Sequence, residues 1–291
     1  MKYELKSKIT EILNKNPNIS TEEINRIIQI TVDKYNNTGI EDFDGLSPKV
    51  MYDLLYSNLG ENIISVNPHG FDGNDIPIIR QIRYFLNLID KNNGIKLTKA
   101  GNLPPVIVKE IYQKNYISDR MIESGITKLT KETDADCIVA MKIFCKLAGL
   151  IRKRDNKISL TKNAIKEVNS DQFFEKIFKI CYRDFNWAYF DGFENKMIGQ
   201  FGNNYTLYLL NRYGNEWKSV TFYADLYLKA FPDIFQENDI FGFQLCFIKR
   251  TFNQINEYFG FIEYDDNKFG MGKIKTTDIF RKYIKIGMYV A

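Results

Sequence analysis

The chain has 291 residues, of which 44% are hydrophobic and 14% aromatic, a composition that excludes a disordered polymer and supplies one full core or roughly two or three small ones. Lys+Arg 40 against Asp+Glu 36 gives a net charge of only +4, so a nucleic-acid partner is permitted but any basic surface has to be local. One histidine, His69, excludes zinc sites and catalytic schemes that need two.

Met1 to Lys8 is charged and lacks the apolar run of a signal peptide, and no stretch reaches the roughly 18 apolar residues of a membrane span. Ser20-Thr21-Glu22-Glu23 has capping-box spacing, and Ile24, Ile27, Ile28 and Val32 follow as one helical stripe. Asn36-Asn37-Thr38-Gly39 stops that helix, and an acidic connector, 41–45, leads to Ser47-Pro48, a strong helix start. Residues 67–75 read as loop. From 76 to 91 Ile79, Ile82, Phe85, Leu86 and Ile89 share a helical face, which Asn92-Asn93-Gly94 terminates. Pro104-Pro105 opens another helix, and 134–148 is the second long one, with Gly149 supplying its C-terminal turn. Residues 150–154 and 157–160 predict two strands around Asp155-Asn156, a good hairpin turn. An aromatic helix is expected over 171–190, then helices over 197–213 and 220–231 and a third long helix over 241–259. Gly260 repeats the role of Gly149 before strands at 261–264 and 273–275.

Three of these helix-to-strand passages close on nearly the same residues: Ile95-Lys96-Leu97-Thr98, Ile158-Ser159-Leu160-Thr161 and Ile274-Lys275-Thr276-Thr277. A helix, a small hairpin and a Thr able to cap the next helix outline a winged helix, and recurrence argues for one unit used repeatedly. The expected fold is mainly α with small β-hairpins: two or three winged-helix-like units plus N-terminal helices. The expected division is 1–45 as a helical pair, 46–190 as two units with a helical extension, and 191–291 as a C-terminal unit.

Such units bind DNA by laying the long helix in the major groove and the wing on a neighbouring backbone. Candidate nucleic-acid residues are Arg80, Arg83 and Asn87 on the first long helix, Arg152, Lys153 and Arg154 on the second wing, and Lys249, Arg250 and Asn253 on the third long helix. Gln81, Lys157 and Gln254 stand among them, and the tip of the third wing is acidic (Glu263, Asp265, Asp266). Cys137, Cys145, Cys181 and Cys246 lie in apolar helical patterns and read as reduced, packed thiols. Asp184, Asp191 and Glu194 surround an aromatic run without the spacing of a metal motif, and turn chemistry explains them better. Gly199 and Gly202 lack the context of a phosphate loop and read as close-packing positions.

Gly45-Leu46-Ser47-Pro48-Lys49-Val50-Met51-Tyr52-Asp53-Leu54-Leu55-Tyr56, Gly94 through Pro104, and Phe185 through Gly202 resemble a family of uncharacterised bacterial proteins over roughly 43–285. That resemblance carries no established activity and no catalytic residues. The residues themselves predict a non-enzymatic cytoplasmic protein, without cofactor or metal, that binds duplex DNA. The alternative is a protein-interaction scaffold whose aromatic-rich helical surfaces bind another protein and no nucleic acid. A membrane is not an expected partner.

Overall fold

The computed structural model describes residues 2–15, 20–56, 63–235, 239–265 and 271–287. It is mainly helical, with small antiparallel sheets. Two parts of the chain follow one order: helix, short strand, helix, longer helix, hairpin.

In the first, helix Pro77–Lys91 precedes strand Ile95–Lys96, helix Pro105–Tyr112, helix Asp136–Leu147 and the strand pair Ile151–Arg154 and Lys157–Leu160. Pro77 starts the first helix because its missing N–H is an orphan donor there in any case. Ile78, Ile79, Ile82, Phe85, Leu86 and Ile89 then recur at three- and four-residue spacing and are buried. Asn93 and Gly94, both left-handed at φ 49° and 98°, end the helix and turn the chain into the strand. The hairpin turn places Asp155 and Asn156 at φ 48° and 55°, the type I′ geometry that matches strand twist.

In the second, helix Asn203–Tyr213, strand Lys218–Ser219, helix Val220–Ala230, helix Ile240–Ile248 and strands Ile262–Tyr264 and Lys273–Thr276 repeat that order. In both sheets the last strand lies between the other two, pairing Ile95 with Ile158 and Ile151 with Leu160 in one, and Lys218 with Ile274 and Ile262 with Thr276 in the other. Ser219 caps helix Val220–Ala230 by accepting from Phe222 N at 3.1 Å. Ser219→Ala is expected to lower stability by about 1 kcal/mol in chemical denaturation, since it leaves an orphan helix donor.

The three similar closings therefore do not mark three units. Ile95–Lys96 and Lys157–Leu160 are neighbouring strands of one sheet, so the first closing is the first strand of the unit that the second one completes. The second and third closings are equivalent. Thr161 Oγ1 donates to Gly149 O at 2.8 Å and Thr277 Oγ1 donates to Gly260 O at 2.6 Å, so each ties the hairpin's end to the left-handed glycine after the long helix. Only Thr277 also caps a following helix, accepting from Phe280 N. Thr98 instead accepts from Asn102 N in a local turn.

Helix Pro48–Tyr56 falls in the 46–190 block by sequence but packs with the second unit, where Asn204 Nδ2 donates to Leu54 O at 2.8 Å. Strand Ile64–Val66 likewise pairs with Ile284–Ile286 near the end of the described chain. The aromatic segment breaks into helix Phe173–Lys179, a π-helical turn at Ile180–Asp184 and a 3₁₀ turn at Trp187–Phe190. Side chains take the carbonyls there: Trp187 Nε1 donates to Cys181 O at 2.7 Å and Asn203 Nδ2 to Tyr182 O at 3.1 Å. Backbone hydrogen bonds then slip to a wider ring, as Phe185 N donating to Ile180 O shows. This segment packs between the two units, with Phe144, Phe185, Trp187 and Tyr258 ring against ring.

Candidate nucleic-acid interface

The first unit's sheet carries its charge by strand alternation. Ile95, Ile151 and Ile158 turn inward and are buried. Because successive side chains alternate faces, Arg152, Arg154, Lys157 and Lys96 share the outer face. Arg154 is paired in register with Lys157, and Lys157 with Lys96, so three cations stand in one row across three strands. Like charges directly opposite each other destabilise a sheet. Folding has no use for such a row.

On the opposite face, Lys153 lines a groove of about 470 Å³ between the hairpin and helix Asp136–Leu147, together with Lys142, Ile143 and Lys146 over a floor of Leu97, Ile151 and Ile158. Lys142 is committed to a buried carboxylate, Glu132, with side-chain exposures of 19% and 2%; Glu132 also accepts from Leu103 N. Lys96, Lys146, Arg152, Lys153 and Lys157 are exposed and form no ion pair among the described residues. Arg154 meets Asp155 at 3.4 Å, but both side chains are 88% exposed and water screens the pair.

The other candidates are placed elsewhere. Arg80 is exposed, its guanidinium stacked over Tyr116 at 4.7 Å, and Asn87 is exposed. Arg83 instead braces the 67–75 loop, with Nη1 donating to Asn74 at 2.5 Å, Nη2 to Asp72 O at 2.8 Å and Nε to Val168 O at 3.3 Å. Gln81 is buried, donating to Cys137 O.

The third long helix faces inward. It continues from Ile240–Ile248 through a π-helical segment, Lys249–Asn256. Arg250 there is fully buried: Nε and Nη2 each donate to Asp191 at 2.7 Å, and Nη1 donates to Asn195 O at 2.7 Å and to Ile198 O at 2.8 Å. Every guanidinium edge is thus turned to residues 191–198, and no phosphate can reach it. Lys249 donates to Phe190 O at 3.2 Å, Asn253 accepts from Tyr264 Oη, and Gln254 is buried beside Asp136. Glu263 on the second hairpin is paired with Lys275 at 3.7 Å, leaving that sheet balanced; Asp265 is described, whereas Asp266 lies outside the described residues.

The carboxylates near the aromatic run do not converge. Asp184 pairs with Arg183 at the surface, Asp191 with Arg250 in the interior, and Glu194 is exposed at another cavity. Among the described residues no group of three or more His, Cys, Asp or Glu could hold a metal ion. All four cysteines are free and buried, and burial pushes the Cys246 thiol up to about 12, so it stays protonated at neutral pH. His69 is exposed in the 67–75 loop, its ring edge against Phe71. Gly199 and Gly202 are close-approach positions: a Cβ at either would come within 2.8 Å of Arg250 or Phe231, and both are left-handed. Most large aromatic side chains, Trp187, Tyr205, Tyr223, Tyr227, Phe174 and Phe178 among them, fill the core.

Asp136 stands at the start of the first unit's longer helix, packed against the second unit. Burial there raises its carboxyl above the usual range, countered in part by Lys249. The folded chain thus holds this proton more tightly than the unfolded one, so the charged form costs stability at neutral pH. That cost disappears as pH falls through the raised value. Asp136→Asn is expected to raise the melting temperature at pH 7, with the gain shrinking on acidification; an equal gain at every pH would contradict this.

Residues 74–172 match the family described as the Y4jL N-terminal domain. The matched segment opens just before helix Pro77–Lys91 and ends just after the first unit's hairpin, so it takes in that unit's helices and its whole sheet. No curated protein and no solved structure matches the chain. No helix among the described residues is long and apolar enough to cross a membrane.

Lys96 and Lys146 were not among the residues singled out from sequence. Lys96 is legible only once the first closing is recognised as a strand paired with the second. Lys146 sits in the last turn of a helix, where a lysine is equally explained by the helix dipole.

Proposed function

We propose that this is a nucleic-acid-binding protein whose first unit is winged-helix-like and engages duplex DNA through the hairpin 151–160 and the adjoining groove. The observation that carries this reading is the cross-strand row Lys96, Lys157 and Arg154, continued on the other face by Lys153 and Lys146. Like charges in register cost folding free energy, and phosphates relieve that cost when they bind. Cations on both faces of one hairpin suit a duplex, where phosphate strands flank a groove on either side. The second unit has the same order of elements but a neutral hairpin and a buried long helix, so it serves as the support against which the first unit is held. An intracellular, cytoplasmic setting follows from this function and from four unpaired thiols.

Fluorescence anisotropy with a labelled duplex tests the reading. Saturable binding at micromolar protein in low salt, weakening steeply as salt rises, is the expected outcome. No binding at low salt, where basic contacts are strongest, rules the function out.

A further inference from the structure

We infer that the first unit reads phosphate charge and duplex shape and does not read base sequence. This rests on the function proposed above and goes beyond it by fixing the kind of recognition.

Discrimination between bases needs side chains that bond two edge atoms at once, Arg or Lys to guanine or Asn and Gln to adenine, presented on an element that enters the groove. Helix Asp136–Leu147, which faces the hairpin across the groove, has the sequence DCIVAMKIFCKL and offers no Arg, Asn or Gln. Its polar side chains are Asp136, Lys142 and Lys146. Asp136 is covered by Gln254 of the second unit at 3.5 Å, and Lys142 is held by Glu132. Only Lys146 is exposed, at the end of the helix. The half of the helix that would lead into a major groove is buried: Cys137, Ile138, Ala140 and Met141 are core residues.

The second unit does not make up the lack. Its long helix holds Arg250, Thr251, Gln254 and Asn256, the residue types that read bases, and all four are buried. What remains on the surface around the groove and hairpin is a set of cations, Arg152, Lys153, Arg154 and Lys157, with Lys96 and Lys146 beside them; Arg80 and Asn87 are exposed on helix Pro77–Lys91 but line no part of the groove, and the Arg80 guanidinium lies over Tyr116. Carried on strands, with Lys96 and Arg154 in register with Lys157, the hairpin cations, Arg152 and Arg154 included, contact phosphate and position a protein on a duplex without specifying a sequence.

The test uses the full chain, with three duplexes of unrelated sequence and matched length, and the variants Lys157→Glu and Lys157→Gln. The expected result is affinities equal to within about threefold across the duplexes at each salt concentration. Binding one duplex more than about tenfold above the others overturns the inference while leaving the function standing; failure to bind any of them overturns the function instead. Lys157→Glu places a carboxylate between Lys96 and Arg154. It should weaken all three duplexes together, by about tenfold or more, while the melting temperature holds or rises. Lys157→Gln should fall between the two on both readouts. A purely structural lysine would give the opposite pattern, a lower melting temperature with affinity unchanged, and that result contradicts the inference.

Discussion

Replacing Arg250 with Ala is expected to cost about 3–5 kcal/mol of unfolding free energy, the largest effect of any single polar substitution in the chain. The guanidinium and the Asp191 carboxylate are 0% and 2% exposed, and together with the Asn195 and Ile198 carbonyls they form a closed set of charge-assisted hydrogen bonds. Removing the cation strands the carboxylate in the interior and opens two carbonyls, so the cost is that of an uncompensated buried charge. The bonds join residues 191–198 to the third long helix, so loss of Arg250 should loosen residues 191–199 before the rest of the chain. Urea denaturation gives the magnitude, and hydrogen exchange across 191–199 gives the location. The double variant Arg250→Met with Asp191→Leu should recover the part of the loss that comes from the stranded carboxylate, while the Asn195 and Ile198 carbonyls stay unpaired. If Arg250→Ala unfolds like the parent, the burial of this pair is not what holds the segment down. A binding role for Arg250 would show the reverse: intact stability and weakened DNA.

The second large effect concerns binding. Arg152→Thr, Lys153→Thr and Arg154→Thr combined should lower duplex affinity on the order of 100-fold or more at about 0.1 M salt. They should also make the plot of log affinity against log salt shallower by roughly 3, because three of the six exposed cations release no counterions. Thr suits a strand, and removing Arg154 from its row with Lys157 and Lys96 relieves repulsion, so the melting temperature should not fall. Arg83→Ala offers the converse control. Arg83 is committed to the 67–75 loop, so its loss should lower stability with little effect on affinity.

The helices of the first unit were legible because Ile79, Ile82, Phe85, Leu86 and Ile89 impose a helical period and Asn93-Gly94 closes it. The hairpin was legible because Asp155-Asn156 accepts the left-handed geometry of its turn. The number of units was not. Ile95–Lys96 looks like a closing strand because it matches the others in residue type, but a two-residue strand has no period of its own, and only its pairing with Lys157 and Ile158 assigns it. The third long helix misled for a related reason. Arg250 has the polarity of a solvated face, yet the segment from Phe173 to Gly202 supplies Asp191 and backbone carbonyls that satisfy it in the interior, and Gln254 is turned inward to Asp136 of the first unit. Sequence shows that a side chain is polar; it does not show whether a distant segment brings a partner. Arg152 and Arg154 escaped that ambiguity because they alternate with Ile151 on a hairpin whose other face Ile151 and Ile158 take.

The most direct test of this account is to titrate the isotope-labelled full chain with a short duplex and follow the backbone amides. The account predicts perturbations concentrated at 95–101 and 142–160, with residues 218–264 of the second unit unmoved. Perturbations centred on the second hairpin or on helix Ile240–Ile248, with the Lys96, Lys157 and Arg154 row silent, would contradict it.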